Sequence, residues 1–124
     1  RLQEINVKVR KYGIQSLPQY VLVGEKVAIT VDHVPIKKPS IKFRIEYDGS
    51  SILYGKNKGM ILLNKTGTLM WMLCNGERSI AGIADEVTSF ISGAKYENVL
   101  MDTYGFFLSL YQQGFITFKK LQEL

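Results

Sequence analysis

At 124 residues the chain is long enough to bury one core and too short for two ordinary globular domains. With 46% hydrophobic and 22% charged residues and no low-complexity tract, its composition excludes intrinsic disorder as the default. The net charge of +5 is concentrated in residues 1–40, where seven bases face three acids, against nine and eight in residues 41–124. This basic stretch is first of all a solvated surface rather than a nucleic-acid site.

No window reaches the roughly 18 to 20 apolar residues of a membrane span, and the N-terminus lacks a signal-peptide profile. A cytoplasmic address and no membrane partner are the expectation. A lone Cys74 cannot form an internal disulfide, which fits a reducing compartment. The start at Arg1 rather than Met leaves room for further protein on either side.

In chain order, Ile5, Val7 and Val9 alternate with Asn6, Lys8 and Arg10, the period of a half-buried strand. Tyr20 to Val23 and Lys26 to Val31 flank Gly24-Glu25, where a two-residue type II′ turn would join them as a hairpin. Pro35, Pro39 and the Lys37-Lys38 pair then read as a linker, and a seam is expected near residues 35–40.

A second β unit follows. Phe43, Ile45 and Tyr47 alternate with Lys42, Arg44 and Glu46, Asp48-Gly49 supplies a turn, and Ile52-Leu53-Tyr54 forms the next strand. Gly55 to Gly59 turns the chain again, into a third strand at Met60-Ile61-Leu62-Leu63. The unit is a small meander.

The period then changes. Asn64 can cap a helix carrying Leu69, Met70, Leu73 and Cys74, with Trp71 and Met72 packing between meander and helices, and Gly76 ends it. Ser79 caps a second helix whose Ile80, Ile83, Ala84, Val87, Phe90 and Ile91 keep helical spacing up to Gly93. The third helix, about Tyr96 to Gln113, gathers Asp102, Gly105, Ser109, Gln112 and Gln113 in an arc of about 100° and is apolar elsewhere. Its apolar surface is too wide for one core. Val99, Thr103, Phe106 and Leu110 mark one side, and Met101, Tyr104, Leu108 and Tyr111 the other. Phe115 to Phe118 reads as a terminal strand.

Catalytic chemistry is hard to build from this set. A nucleophile needs a base, yet His33 is the single histidine and Cys74 lies on an apolar helix face, where a thiol behaves as a small hydrophobe. One Cys and one His cannot complete a zinc site, and no glycine run matches a phosphate loop. No enzyme activity, metal or cofactor is therefore expected. The helices placed to read a DNA groove carry no Lys or Arg between Ser79 and Gly93, and only Lys95 precedes the third, which disfavours nucleic acid.

Leu63-Asn64-x-Thr66-Gly67, a helix with Trp71, then Asn75-Gly76-x-Arg78-Ser79 and an Ile83-Ala84 helix resemble the signature of the coenzyme PQQ synthesis protein D (PqqD) family, among the precursor-peptide recognition elements. The resemblance covers roughly residues 41–118. It implies an α+β, winged-helix-like fold: a three-stranded antiparallel meander followed by three helices, here with an extra β-rich N-terminal segment. Residues 1–40 would be a basic extension, 41–118 the PqqD-like domain and 119–124 a polar tail.

The resemblance further implies a non-catalytic peptide-binding module of cofactor or PQQ biosynthesis. It would capture the leader of a ribosomally made precursor peptide as an added strand and present it to a modifying enzyme, such as a radical SAM protein. Met60, Ile61, Leu62 and Leu63 would be the edge, and Met101, Tyr104, Leu108 and Tyr111 the groove wall. The alternative for those four helical side chains is burial beneath the front segment or in a homodimer. Other readings of the whole chain are a winged-helix nucleic-acid-binding domain and a structural or dimerisation domain. The sequence departs from the family pattern in the 40 residues before the meander and at Gly82, where an acidic residue is common.

Overall fold

The structure, a computed structural model, describes residues 21–22 and 28–119. The strand expected over Ile5 to Val9, the Gly24-Glu25 turn and most of the polar tail lie outside the described residues. Ten elements follow one another: β1 (Val21–Leu22), β2 (Ala28–Ile29), β3 (Pro35–Lys37), β4 (Lys42–Ile45), β5 (Ser51–Gly55), β6 (Gly59–Leu63), α1 (Lys65–Leu73), α2 (Ile80–Phe90), α3 (Tyr96–Gln112) and β7 (Ile116–Phe118). The expected α+β plan of a meander followed by three helices is the one the chain adopts, with additional short strands.

β4, β5 and β6 form the antiparallel meander in that order, with Leu53 opposite both Phe43 and Ile61. Leu53, Ile61 and Leu63 point into the core, where they meet Met70 and Trp71 of α1, Ile83 and Val87 of α2, and Phe106, Phe107 and Leu110 of α3. Ser51 is buried in the same layer, and its hydroxyl is 2.7 Å from that of Thr68, so the two polar groups satisfy each other away from water. The Phe43 ring tilts against Trp71 at 6.2 Å.

Helix ends follow the local chemistry. The Asn64 side chain accepts the Gly67 amide at 2.8 Å, and the Ser79 hydroxyl accepts that of Gly82 at 3.0 Å. Past α1, Gly76 takes a left-handed φ of 82°, and the Arg78 guanidinium donates to the Leu73 carbonyl at 3.0 Å. Gly114, with φ 85°, turns the chain out of α3 toward β7.

Five details depart from the sequence reading. Pro35 to Lys37 is a strand rather than a linker: β3 pairs antiparallel with β7, Ile36 opposite Thr117. Proline is tolerated as the first residue of a strand because no ladder bond is needed from its missing N–H. The β1–β2 register sets Val21 opposite Ile29 and Leu22 opposite Ala28, one residue away from what a two-residue turn would give.

Ile45 and Tyr47 are exposed, because β4 ends at Ile45 and Tyr47 stands on the turn closed by the Glu46 amide donating to the Ser50 carbonyl. Trp71 is buried as expected, but Met72, on the outer side of α1, is exposed. Phe90 and Ile91 are also exposed, since α2 stops at Phe90.

The described part of the front segment joins the same core. Ile29 is fully buried. The carbonyls of Val31 and His33 accept the Ala81 and Ile80 amides at 2.9 and 3.0 Å, satisfying donors that the first turn of α2 would otherwise leave without a partner. The Tyr104 hydroxyl donates to the Ile29 carbonyl at 2.7 Å, and the Lys119 amide to that of Val34 at 2.9 Å.

Candidate functional site

Among the described residues β6 is an end strand of the meander, paired on one side only, with β5. Its sequence alternates the side chains between two environments. Ile61 and Leu63 are buried, whereas Met60 and Leu62 are 62% and 56% exposed on the opposite face.

α3 runs beside this strand in the opposite direction. The Lys58 ammonium at the start of β6 lies against Gly114 just past the end of α3, and Thr66 just after β6 shares a groove with Asn98 and Met101 near the start of α3. That groove has a volume of about 610 Å³. Thr66 and Met70 of α1 form one wall, Asn98, Val99, Met101 and Asp102 of α3 the other, and Ile91, Gly93, Ala94 and Lys95 the end. Its surface is mixed, with apolar walls interrupted by Asn98, Asp102 and the Lys95 ammonium.

Of the four α3 residues expected to wall a groove, Met101 lines it. Tyr104 is 3% exposed and tied to Ile29. Leu108 and Tyr111 are half-buried against the core, and the Tyr111 ring lies 5.2 Å from that of Phe118. β2 and β7 thus pack over much of the second apolar face that the sequence assigns to α3. The groove also takes in Thr66, Met70, Ile91 and Val99, which the sequence reading placed in motif or helix-packing positions, and Asn98, which it did not name. A signal existed in Asn98 and Met101, three apart on one helical face, and in the early stop of α2 that leaves Ile91 at the rim.

The other chemically reactive side chains lie elsewhere. The Cys74 thiol is buried, donates to the Pro35 carbonyl at 3.4 Å, and is pushed by burial up to about 11. Lys37 stands 4.9 Å over the Trp71 ring, and burial lowers its pKa. His33 Nδ1 accepts the Thr30 amide at 2.9 Å, closing the loop before β3. No three His, Cys, Asp or Glu side chains among the described residues are placed to hold a metal ion. No helix among them is long and apolar enough to cross a membrane.

The model of one family, described as coenzyme PQQ synthesis protein D (PqqD), matches residues 49–116, which is more than half of the chain and contains β6, α1, α2 and α3. No curated protein matches the chain at a significant level. A solved structure described as TbiB1 in complex with the TbiA(beta) leader peptide superposes with a TM-score of 0.57 at 16% identity, covering 65% of this chain and 93% of that one. At that identity the likeness is one of fold.

Proposed function

Because the chain belongs to the coenzyme PQQ synthesis protein D (PqqD) family, we propose that it is a non-catalytic module that binds the leader of a ribosomally made precursor peptide and presents it to a modifying enzyme, such as a radical SAM protein, in the cytoplasm. The observation that carries this reading is strand β6, paired on one side only among the described residues, with a groove of about 610 Å³ just past its Leu63 end. A strand end with unused backbone donors and acceptors binds an extended peptide by main-chain hydrogen bonds, and a neighbouring groove takes alternate side chains. The structural neighbour is itself a complex with a leader peptide, which supports the same assignment.

Within this proposal Met60 to Leu63 supply the edge and Met101 the wall, while Tyr104, Leu108 and Tyr111 hold α3 in place behind it. Titrating the ¹⁵N-labelled chain with the leader peptide encoded beside its gene should shift the amides of Gly59 to Leu63 and of Asn98 to Asp102. Ile91→Asp, a change at the partly exposed rim, should weaken binding roughly ten-fold with little change in melting temperature. Shifts confined to β3 and β7 would overturn the site.

A further inference from the structure

The meander has a second face, turned away from the helices, that peptide capture in the groove leaves without a role. The register fixes what stands there: Lys42, Tyr54 and Met60 form one cross-strand row, and Arg44, Ile52 and Leu62 the next. This face is basic along β4, where Arg44 also bridges to Glu46 at 2.9 Å, and apolar from β5 to the edge of β6.

End strands are normally defended against pairing by a charged residue, a proline or a bulge. β6 has none of these between Gly59 and Leu63, and its two outward side chains are Met60 and Leu62. The charge sits just beyond its ends, on Lys56 and Lys58 before it and Lys65 after it, and no Asp or Glu occurs anywhere from residue 49 to residue 76.

A peptide strand added to β6 sends successive side chains to opposite faces. One set takes the side of the sheet that faces the helices; the other stands beside Met60 and Leu62, at cross-strand distances where apolar pairs attract. We propose that the outer sheet face formed by Ile52, Tyr54, Met60 and Leu62 is a second specificity surface, so that the segment accepted at β6 is apolar on both of its faces and bounded by acidic residues. This inference rests on strand addition at β6 and names the chemical class of peptide that the strand selects. Backbone pairing alone is blind to sequence. A peptide with alternating apolar and polar residues serves the helix side of the sheet but leaves Met60 and Leu62 in water, whereas one that is apolar throughout covers both. The flanking lysines then complement acidic ends, an attraction that salt weakens.

The test uses the full chain and three fluorescently labelled synthetic peptides. The first has a central run of alternating leucine and valine with two glutamates at each end; the second carries serine at every other central position; the third has the glutamates replaced by lysines. The first should bind roughly three- to ten-fold tighter than the second. That preference should fall to within about two-fold in the double variant Met60→Ser, Leu62→Ser, whose sites are exposed enough to leave the fold intact.

The third should bind more weakly than the first, by a margin that shrinks as salt is raised. Equal affinity for the first two peptides, or a preference that persists in the double variant, overturns the second surface. If both peptides still protect the Gly59 to Leu63 amides from exchange, strand addition itself survives. No protection with any peptide would remove strand addition and the second surface together. A third peptide as tight as the first refutes the acidic ends.

Discussion

Ser79 opens α2 with a half-built cap. Its hydroxyl accepts the Gly82 amide, but Gly82 has no side chain to reach back, and the first turn of α2 carries no acidic residue. A Cβ at Gly82 would meet the Ser79 hydroxyl at 3.4 Å, an ordinary contact. Gly82→Glu should therefore complete a capping box, favour the helix dipole and remove a flexible residue, raising stability by about 1 kcal/mol in a denaturant titration.

Cys74 gives a second prediction at this scale. Its native pKa, about 11, lies above the reference value of 9.0 because ionisation would place a charge in the core. Between those two values the unfolded thiol loses its proton while the native one keeps it. The stability linked to this group is whole below pH 9 and declines as the pH rises toward 11. The difference in stability between the wild type and Cys74→Ala should accordingly change across that window and be flat below it. At pH 8 the native thiol should resist iodoacetamide until the protein is unfolded.

At the scale of elements, α3 is held between the meander and the front segment, and the Tyr104–Ile29 hydrogen bond joins residues 75 apart in sequence. Tyr104→Phe leaves the Ile29 carbonyl without this buried donor and should cost about 1 to 3 kcal/mol, read as a lower denaturation midpoint and faster amide exchange around Thr30 and Val31. This contact also marks where the sequence stopped being legible. Asn64, Ser79, Gly76 and Gly114 act on backbone groups within a few residues of themselves, so the starts of α1 and α2 and the stops of α1 and α3 are legible in the chain alone.

β3 could not be placed, because Pro35 and the lysines after it look like a linker until β7, some eighty residues later, lies alongside. The same limit governed the site. Strand β6 announced itself by composition, and Met60 and Leu62 were named with it. Which face of α3 stays open depended on β2 and β7 covering Tyr104 and Tyr111, a tertiary outcome that helical periodicity does not encode. Phe90 and Ile91 keep the helical spacing, yet α2 ends at Phe90 and both side chains are exposed.

For the molecule as a whole, the proposed site joins the mixed groove past the Leu63 end of β6 to the apolar outer face of the sheet. The hydrogen-bonding of β6 with β5 from Ser51 opposite Leu63 to Gly55 opposite Gly59 keeps that strand rigid. Peptide binding is therefore expected to raise the melting temperature without changing the far-ultraviolet spectrum beyond the added strand.

The pairing of β3 with β7 has a kinetic consequence. Pro35 and Phe118 face each other although they are 118 − 35 = 83 positions apart, so this contact requires closing most of the described chain, while the meander and each helix organise through neighbours. Closure of that clasp should come after the folding barrier has been crossed. Trimming it with Ile116→Val, at a fully packed position, should then quicken unfolding by several-fold and leave refolding nearly unchanged in stopped-flow measurements. In the living cell such a clasp would set how long the folded module lasts, and the local elements how fast it forms.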